Sequence, residues 1–187
     1  RAGLDKSRFT SAHLLAALKG SGLGRLLYAE KQPAKVRSED HSIAFNRVSM
    51  AMQEAAVLEG NIDTENKALK HLLACGSSAG GARPKVLVRM DNQFWLAKFS
   101  SIRDPSPSLL ISLEQAGMRL AQKAGLNIPE LKRITVKDRE ILLIKRFDLT
   151  TAGGRNAIVS MRTMTGEEDP YLLSYSAMAD VVRRISD

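Results

Sequence analysis

The stretch GSSAGGARPK occupies residues 76–85 of the chain. Glycine has no Cβ and therefore lets main-chain N–H groups come close to a phosphate, while the neighbouring Arg83 and Lys85 add positive charge. The stretch predicts an anion-binding loop. Because glycine-rich segments also form ordinary turns, the prediction depends on the elements next to it in the chain.

Two predicted strands come directly after this loop. The alternating sequence VLVRM at residues 86–90 predicts one strand and FWLAKF at residues 94–99 predicts another, with the turn signal Asp91-Asn92 between them. The second strand carries Lys98. A glycine-rich loop, a hairpin and a strand lysine are the parts with which protein kinases hold nucleotide phosphates.

A predicted amphipathic helix over residues 110–124 comes after a proline-rich segment, residues 103–108, which is expected to be irregular. Its apolar face, the face that such a helix normally packs, is Leu113, Ala116, Gly117, Leu120 and Ala121. The helix also carries Glu114. Since a kinase helix glutamate pairs with the strand lysine, we expect Glu114 to pair with Lys98; the alternative is a solvated surface charge.

A second hairpin is predicted from residues 134–136 and 141–144, which bracket the turn 137–140. The second of these strands is apolar on both faces and is expected to be buried. It leads into Lys145 and Phe147, whose backbone groups could contact an adenine ring. Residues 145–147 are therefore the predicted hinge.

The region before the glycine-rich stretch is predicted to be mostly helical, with helices at residues 11–18, 43–58 and 64–74 and one strand at residues 23–29. The sequence thus predicts an α+β fold, with an antiparallel or mixed sheet and helices packed on it as in the N-lobe of a kinase. We expect two parts, a small subdomain over residues 1–75 and a nucleotide-binding part over residues 76–187.

Five segments together resemble the HipA family, the bacterial serine/threonine kinases of persistence-type toxin–antitoxin systems. In order along the chain they are residues 80–85, 95–99, 113–121, 124–130 and 145–148.

The resemblance implies roles for matched positions. ATP phosphates are expected at Gly80, Gly81, Ala82, Lys85 and Lys98, and the adenine at the backbone near Lys145 and Phe147. Ser77 or Ser78 falls at the family's regulatory serine, whose phosphorylation ejects the loop. Two added negative charges in a phosphate-binding loop would repel ATP.

The resemblance also implies what lies outside these segments. The family's catalytic loop and its magnesium-binding aspartate are expected beyond Asp187, so no catalytic or metal-binding residue is expected in this chain. We expect a truncated fragment that holds nucleotide weakly and transfers no phosphate. A departure from the family is Leu149, where a second arginine is common. The implied partners are a HipB-like antitoxin, DNA only through that antitoxin, and a substrate such as an aminoacyl-tRNA synthetase.

Composition limits the alternatives. The chain has 187 residues, 28 basic and 20 acidic side chains, and a formal charge of +8. The basic residues are scattered and only 5% of residues are aromatic, which disfavours a plain nucleic-acid-binding domain. The rival hypothesis is a non-catalytic module that binds an antitoxin–DNA complex through a basic surface. The single Cys75 and the lack of a long apolar run predict a cytoplasmic protein without membrane contact.

Overall fold

The computed structural model describes residues 23–26, 42–59, 83–101, 103–167, 169 and 171–186. The predicted helices at 11–18 and 64–74 and the predicted boundary at 75/76 lie outside these ranges. The chain divides into two compact units, Arg1–Leu23 with Leu27–Phe147 and Gly24–Leu26 with Asp148–Asp187. Helices and strands occur together, so the α+β prediction is confirmed.

The first unit is built around one five-stranded sheet. Its described elements are β1 (Ile43–Ala44), a 3-10 turn (Phe45–Arg47), α1 (Val48–Glu59), β2 (Lys85–Met90), β3 (Gln93–Phe99), α2 (Pro107–Lys123), β4 (Leu131–Val136) and β5 (Arg139–Lys145). The strand order is β1-β2-β3-β5-β4. Strand β1 runs parallel to β2, whereas all the other neighbours are antiparallel, so the sheet is mixed.

The helix predicted from Ile43 begins five residues later, at Val48. Ile43 and Ala44 instead pair with Val88 and Arg89 of β2, and the Ile43 side chain is buried. The periodicity of residues 43–58 describes the helix correctly but does not reveal this pairing, which joins positions that are distant in the sequence.

Both antiparallel hairpins turn through two residues with positive φ. In the first they are Asp91 (φ 51°) and Asn92 (φ 57°), as predicted, and in the second they are Lys137 (φ 47°) and Asp138 (φ 63°). Positive φ at both positions is the geometry of the type I′ turn, whose twist matches that of paired strands. The second hairpin is consequently tighter, and its strands longer, than predicted.

Helix α2 starts at Pro107, inside the segment predicted to be irregular. Proline suits the first turn of a helix, because its fixed φ is already helical and its missing N–H has no partner there anyway. The helix ends at Lys123, and Gly125 comes just after it with φ 87°, the left-handed conformation expected beyond a helix.

The sheet has a helix on each face. On the α1 side, helix residues such as Ala51 and Met52 pack with Val86, Trp95 and Leu143 in the larger core cluster. On the α2 side a smaller cluster joins Ile111 of the helix to strand residues Leu131, Leu142 and Ile144.

The predicted packed face of α2 is wrong. Ile111 is buried and Met118 packs beside it, whereas Leu113 and Leu120 are 56% and 65% exposed. The helix has two apolar stripes on opposite sides, and periodicity does not tell which one the sheet will cover.

The second unit contains α3 (Met161–Thr165) and α4 (Tyr175–Ser186). Gly24 donates its N–H to the buried Asp148 carboxylate at 3.0 Å, and no strand includes the described residues 23–26 of the predicted strand 23–29. Gly24 has φ +77°, and a Cβ built there would lie 3.3 Å from Ile158, so this position favours glycine on both counts.

Within the described ranges, no helix combines the length and apolar character needed to cross a membrane.

Candidate functional site

Two lysines of adjacent strands face each other at the start of β2. Lys85 is the direct cross-strand partner of Lys98 on β3. The N–H of Phe99 donates to the carbonyl of Pro84 at 3.3 Å. Hydrogen-bonded and non-hydrogen-bonded pairs alternate along an antiparallel ladder, so Lys85 and Lys98 form a non-hydrogen-bonded pair, in which side chains approach most closely. Two cations therefore stand together immediately after the glycine-rich stretch.

Helix α2 brings a carboxylate to this pair. The Lys98 ammonium donates to Glu114 Oε1 and forms an ion pair with it. The two side chains are only 30% and 33% exposed, so water screens the pair less than it would at a free surface. The group of two lysines and one glutamate carries an excess positive charge.

The strand alternation explains why Lys98 points towards α2. Trp95, Ala97 and Phe99 are buried in the core on the α1 side, so Leu96 and Lys98 lie on the other face of β3. On β5 the partner of Lys98 is Leu142, which packs with Ile111 of α2. The carbon chain of Lys98 thus lies beside an apolar surface, and its ammonium group lies at the edge of that surface.

The electrostatic state of Lys85 reflects this crowding. Partial burial lowers the pKa of Lys85 below its ordinary value of 10.5, and the charge of Lys98 lowers it further, while Glu114 acts in the opposite direction. Keeping Lys85 charged is therefore less favourable in the folded chain than in water. An anion bound between Lys85 and Lys98 would relieve the repulsion that Lys85 experiences.

The connection from β3 to α2 anchors the end of the glycine-rich stretch, a feature that the sequence reasoning missed. Asp104 forms an ion pair with Arg83 at 3.4 Å and accepts the N–H of Ser101 at 2.9 Å. Arg103 donates to the carbonyl of Glu59 at the end of α1. The sequence did offer one indication of this feature, an aspartate directly before a proline at 104–105. The side chain of such an aspartate commonly accepts a hydrogen bond from the backbone of its own turn.

The predicted hinge lies at the end of β5. The N–H of Lys145 donates to the carbonyl of Glu130 at 2.9 Å, and that of Arg146 to the carbonyl of Phe94 at 2.9 Å. Lys145 also forms an ion pair with Glu130 at 3.1 Å. The sheet thus uses the N–H of Lys145, and the group that this residue can offer to a ligand is its carbonyl.

Phe147 is the last residue of the first unit, and the residue is 64% exposed. Along β5, Lys145 lies three residues from Leu142, the partner of Lys98. At about 3.3 Å per residue, the strand exit is roughly 10 Å from the lysine pair along the strand. This separation is comparable to the distance between the base and the phosphates of a nucleotide.

Lys85, Lys98 and Glu114 are thus brought together, with Lys145 and Phe147 further along the same sheet. The remaining predicted positions lie outside the described residues: Ser77, Ser78, Gly80, Gly81 and Ala82. In the ranges that the structure does describe, no group of three or more His, Cys, Asp or Glu residues could hold a metal ion.

Comparison with models of known protein families gives a match. A family model described as the HipA-like C-terminal domain matches residues 77–187, more than half of the chain. The match begins within the glycine-rich stretch and includes both lysines, Glu114 and the end of β5. Neither the curated proteins nor the solved structures contain a match to the chain.

Proposed function

The chain belongs to the family of HipA-like C-terminal domains, a kinase-related family, and we propose that it is the nucleotide-binding part of a HipA-like serine/threonine protein kinase. The observation that carries the proposal is the ion pair between Lys98 and Glu114, with Lys85 directly across the ladder. A strand lysine paired with a helix glutamate is the arrangement with which protein kinases hold ATP phosphates.

In this proposal each charged residue has a distinct task. Glu114 holds the Lys98 ammonium in position before ATP binds. The lysine can then contact the α- and β-phosphates without a further loss of side-chain freedom. Lys85 provides a second cation beside the glycine-rich loop, where Gly80, Gly81 and Ala82 would supply backbone N–H groups. ATP supplies the γ-phosphoryl group that a kinase transfers.

Lys85, Lys98 and Glu114 are better suited to binding the phosphates of a nucleotide than to binding its metal ion. Two clustered cations suit phosphate oxygens, whereas Glu114 is engaged with Lys98 and belongs to no carboxylate cluster among the described residues. We therefore assign no magnesium ligand to these three residues, and we assign phosphoryl transfer to residues outside this group. Magnesium would arrive with ATP.

The adenine would lie at the exit of β5. The carbonyl of Lys145 is the group suited to accept a hydrogen bond from the adenine amino group, since the N–H of this residue is used by Glu130. The exposed ring of Phe147 offers an apolar surface to the base.

Regulation and partners are proposed from the family. Phosphorylation of Ser77 or Ser78 would place negative charge in the phosphate-binding loop and prevent ATP binding. The variants Ser77→Asp and Ser78→Asp test this, because one of them should lose Mg-ATP binding. The alanine variant at the same position is the control and should keep it. In the cell, we propose, this cytoplasmic kinase binds a HipB-like antitoxin and phosphorylates a translation-related protein such as an aminoacyl-tRNA synthetase.

The central test is calorimetric titration of the purified chain with Mg-ATP. Lys98→Met should weaken binding by roughly ten- to a hundredfold, since a hydrogen bond to a charged group contributes about 1.5–3 kcal/mol. Lys123→Met removes the same charge from an exposed position of α2 and serves as the control, with unchanged affinity. If the wild-type chain binds no Mg-ATP, or if the two variants bind equally well, the proposal is wrong and a non-catalytic interaction module becomes the better description.

A further inference from the structure

The surface of α2 that faces away from the sheet carries an apolar stripe. It consists of Leu109, Leu113, Ala116, Gly117 and Leu120, and we call it the outward stripe. Its three leucines are 53%, 56% and 65% exposed. Single exposed leucines are common, but several in a row along one side of a helix mark a surface that contacts something else.

Four members of the stripe have the spacing of a helix-packing hole. Leu113, Ala116, Gly117 and Leu120 are at positions i, i+3, i+4 and i+7, and four residues so arranged surround the space into which a side chain of a second helix inserts. Here the two leucines form the rim and the two small residues form the floor. The hole is therefore deep enough for a large apolar side chain.

Gly117 has no role in the packing of this unit. A Cβ built on it would meet no atom within 4 Å. Glycine in the middle of a helix costs about 1 kcal/mol relative to alanine, and the structure shows no contact among the described residues that requires it. What a glycine at this position does allow is the close approach of a second helix.

The charges beside the stripe select among possible occupants. Arg119 and Lys123 are the exposed charged residues of α2, while its one acidic residue, Glu114, faces Lys98. A helix with acidic residues beside its apolar seam would pair with them.

We propose that the outward stripe binds an amphipathic helix of a partner protein, with a large apolar side chain in the hole at Gly117 and acidic residues opposite Arg119 and Lys123. The interaction uses the general mode in which an amphipathic helix recognises an apolar surface through residues at i, i+3, i+4 and i+7. The stripe is distinct from the proposed nucleotide site, because its leucines are exposed whereas Glu114 contacts Lys98.

The test uses two helical peptides of roughly 20 residues as probes, a length at which an isolated helix can form. Both have the same leucine seam, flanked by glutamates in one and by lysines in the other. Fluorescence anisotropy should show that the wild-type chain binds the glutamate peptide and binds the lysine peptide at least about tenfold more weakly.

Two variants locate the binding on the stripe. Gly117→Leu fills the hole and should weaken binding of the glutamate peptide at least about tenfold. The melting temperature should not fall, since leucine has the better helix propensity and the site has room. Ser108→Leu adds the same side chain at an exposed position on another side of α2 and should leave the affinity unchanged. The double variant Arg119→Glu, Lys123→Glu should reverse the preference between the peptides.

Three results with the peptides would overturn the proposal. They are failure of the wild-type chain to bind the glutamate peptide, an affinity that Gly117→Leu leaves unchanged, and equal binding of the two peptides. A concentration-dependent dimer in sedimentation that Gly117→Leu abolishes would also overturn it, because the occupant would then be a second copy of the chain.

Discussion

The face of the sheet that packs on α1 holds the larger buried core, whereas the face that α2 crosses has a smaller buried cluster with a charged pair beside it. On the α1 side Trp95, Ala97 and Leu143 are completely buried. Lys98 lies next to Ala97 along β3 but on the α2 side, and its side chain is 30% exposed. One strand, β3, contributes to both faces because its side chains alternate.

This difference separates stability from binding within a single sheet. Burial of apolar area on the α1 side stabilises the strands, while the α2 side bears the charges that would meet a ligand. Substitutions on the first face should therefore change the free energy of unfolding, and substitutions on the second should change affinity. Matched variants on the two faces can test whether stability and affinity are separable in this way.

The largest effect is expected from Leu143→Ala. Truncating a completely buried leucine costs about 2–5 kcal/mol through lost burial and the cavity that remains. Urea denaturation measures the loss, and Mg-ATP affinity per folded molecule should stay the same. The control is Leu113→Ala on the exposed side of α2, which should change stability by less than about 0.5 kcal/mol. Equal costs for the two variants would contradict the assignment of the core.

The next effect concerns Glu114 as a positioning residue. Removing a negative charge near two lysines should by itself strengthen the binding of an anion. We nevertheless expect Glu114→Gln to weaken Mg-ATP binding by roughly fivefold, about 1 kcal/mol, because Lys98 loses the partner that orients it. Glu140→Gln, which disrupts a pair with Arg133 in the second hairpin, is the control.

A double-mutant cycle shows whether Glu114 acts through Lys98. In a Lys98→Met background, Glu114→Gln should have no further effect on Mg-ATP affinity, since the residue that it positions is gone. An increase in affinity for the single variant, or additive losses in the double variant, would show that Glu114 has no positioning role.

The sequence predicts local features well where the chemistry is itself local. Asp91-Asn92 specifies its turn directly, and the kinase arrangement of a strand lysine and a helix glutamate predicts the pairing of Lys98 with Glu114. The strand β1 was not predicted because its partner, Val88, is far away in the sequence. The packed face of α2 was predicted wrongly because both sides of the helix are apolar, and only the sheet decides which side is covered.

Only part of the structure around the predicted hinge could be predicted from the sequence. The sequence locates Lys145 and Phe147 at the end of a buried strand, which the structure describes as β5 and the residues just after it. It does not reveal which backbone groups are already used, because that depends on the alignment of β5 with Glu130 and Phe94. The glycine-rich stretch before Arg83 lies outside the described residues, so its predicted role stays a prediction.

A smaller effect is expected in the pH dependence that Lys85 contributes. Its pKa in the folded chain lies below 10.5, so between these two values the unfolded chain binds more protons than the folded one. The contribution of Lys85 to stability is therefore least favourable below the lowered pKa and improves as pH rises towards 10.5. Lys85→Met should remove this improvement and raise stability at neutral pH.

Thermal melts across the alkaline range measure this difference, with Lys123→Met as the variant that keeps the wild-type dependence. Over the same range the Mg-ATP affinity of the wild-type chain should decrease as Lys85 loses its proton, and the affinity of Lys85→Met should decrease less. Identical pH profiles for the two variants would mean that Lys85 is not under electrostatic strain.

The smallest effect tests a cation on the α1 side. Lys132 lies over the ring of Trp95, with its Nζ 4.6 Å from the centroid, and it also approaches Glu130. Lys132→Met keeps the apolar stem but removes the charge, so it should cost about 0.5–1 kcal/mol of stability. Mg-ATP affinity should not change, in contrast to Lys98→Met. If loss of Lys132 weakened nucleotide binding as strongly as loss of Lys98, general positive charge rather than the Lys98–Glu114 geometry would account for the affinity, and the separation between the two faces would fail.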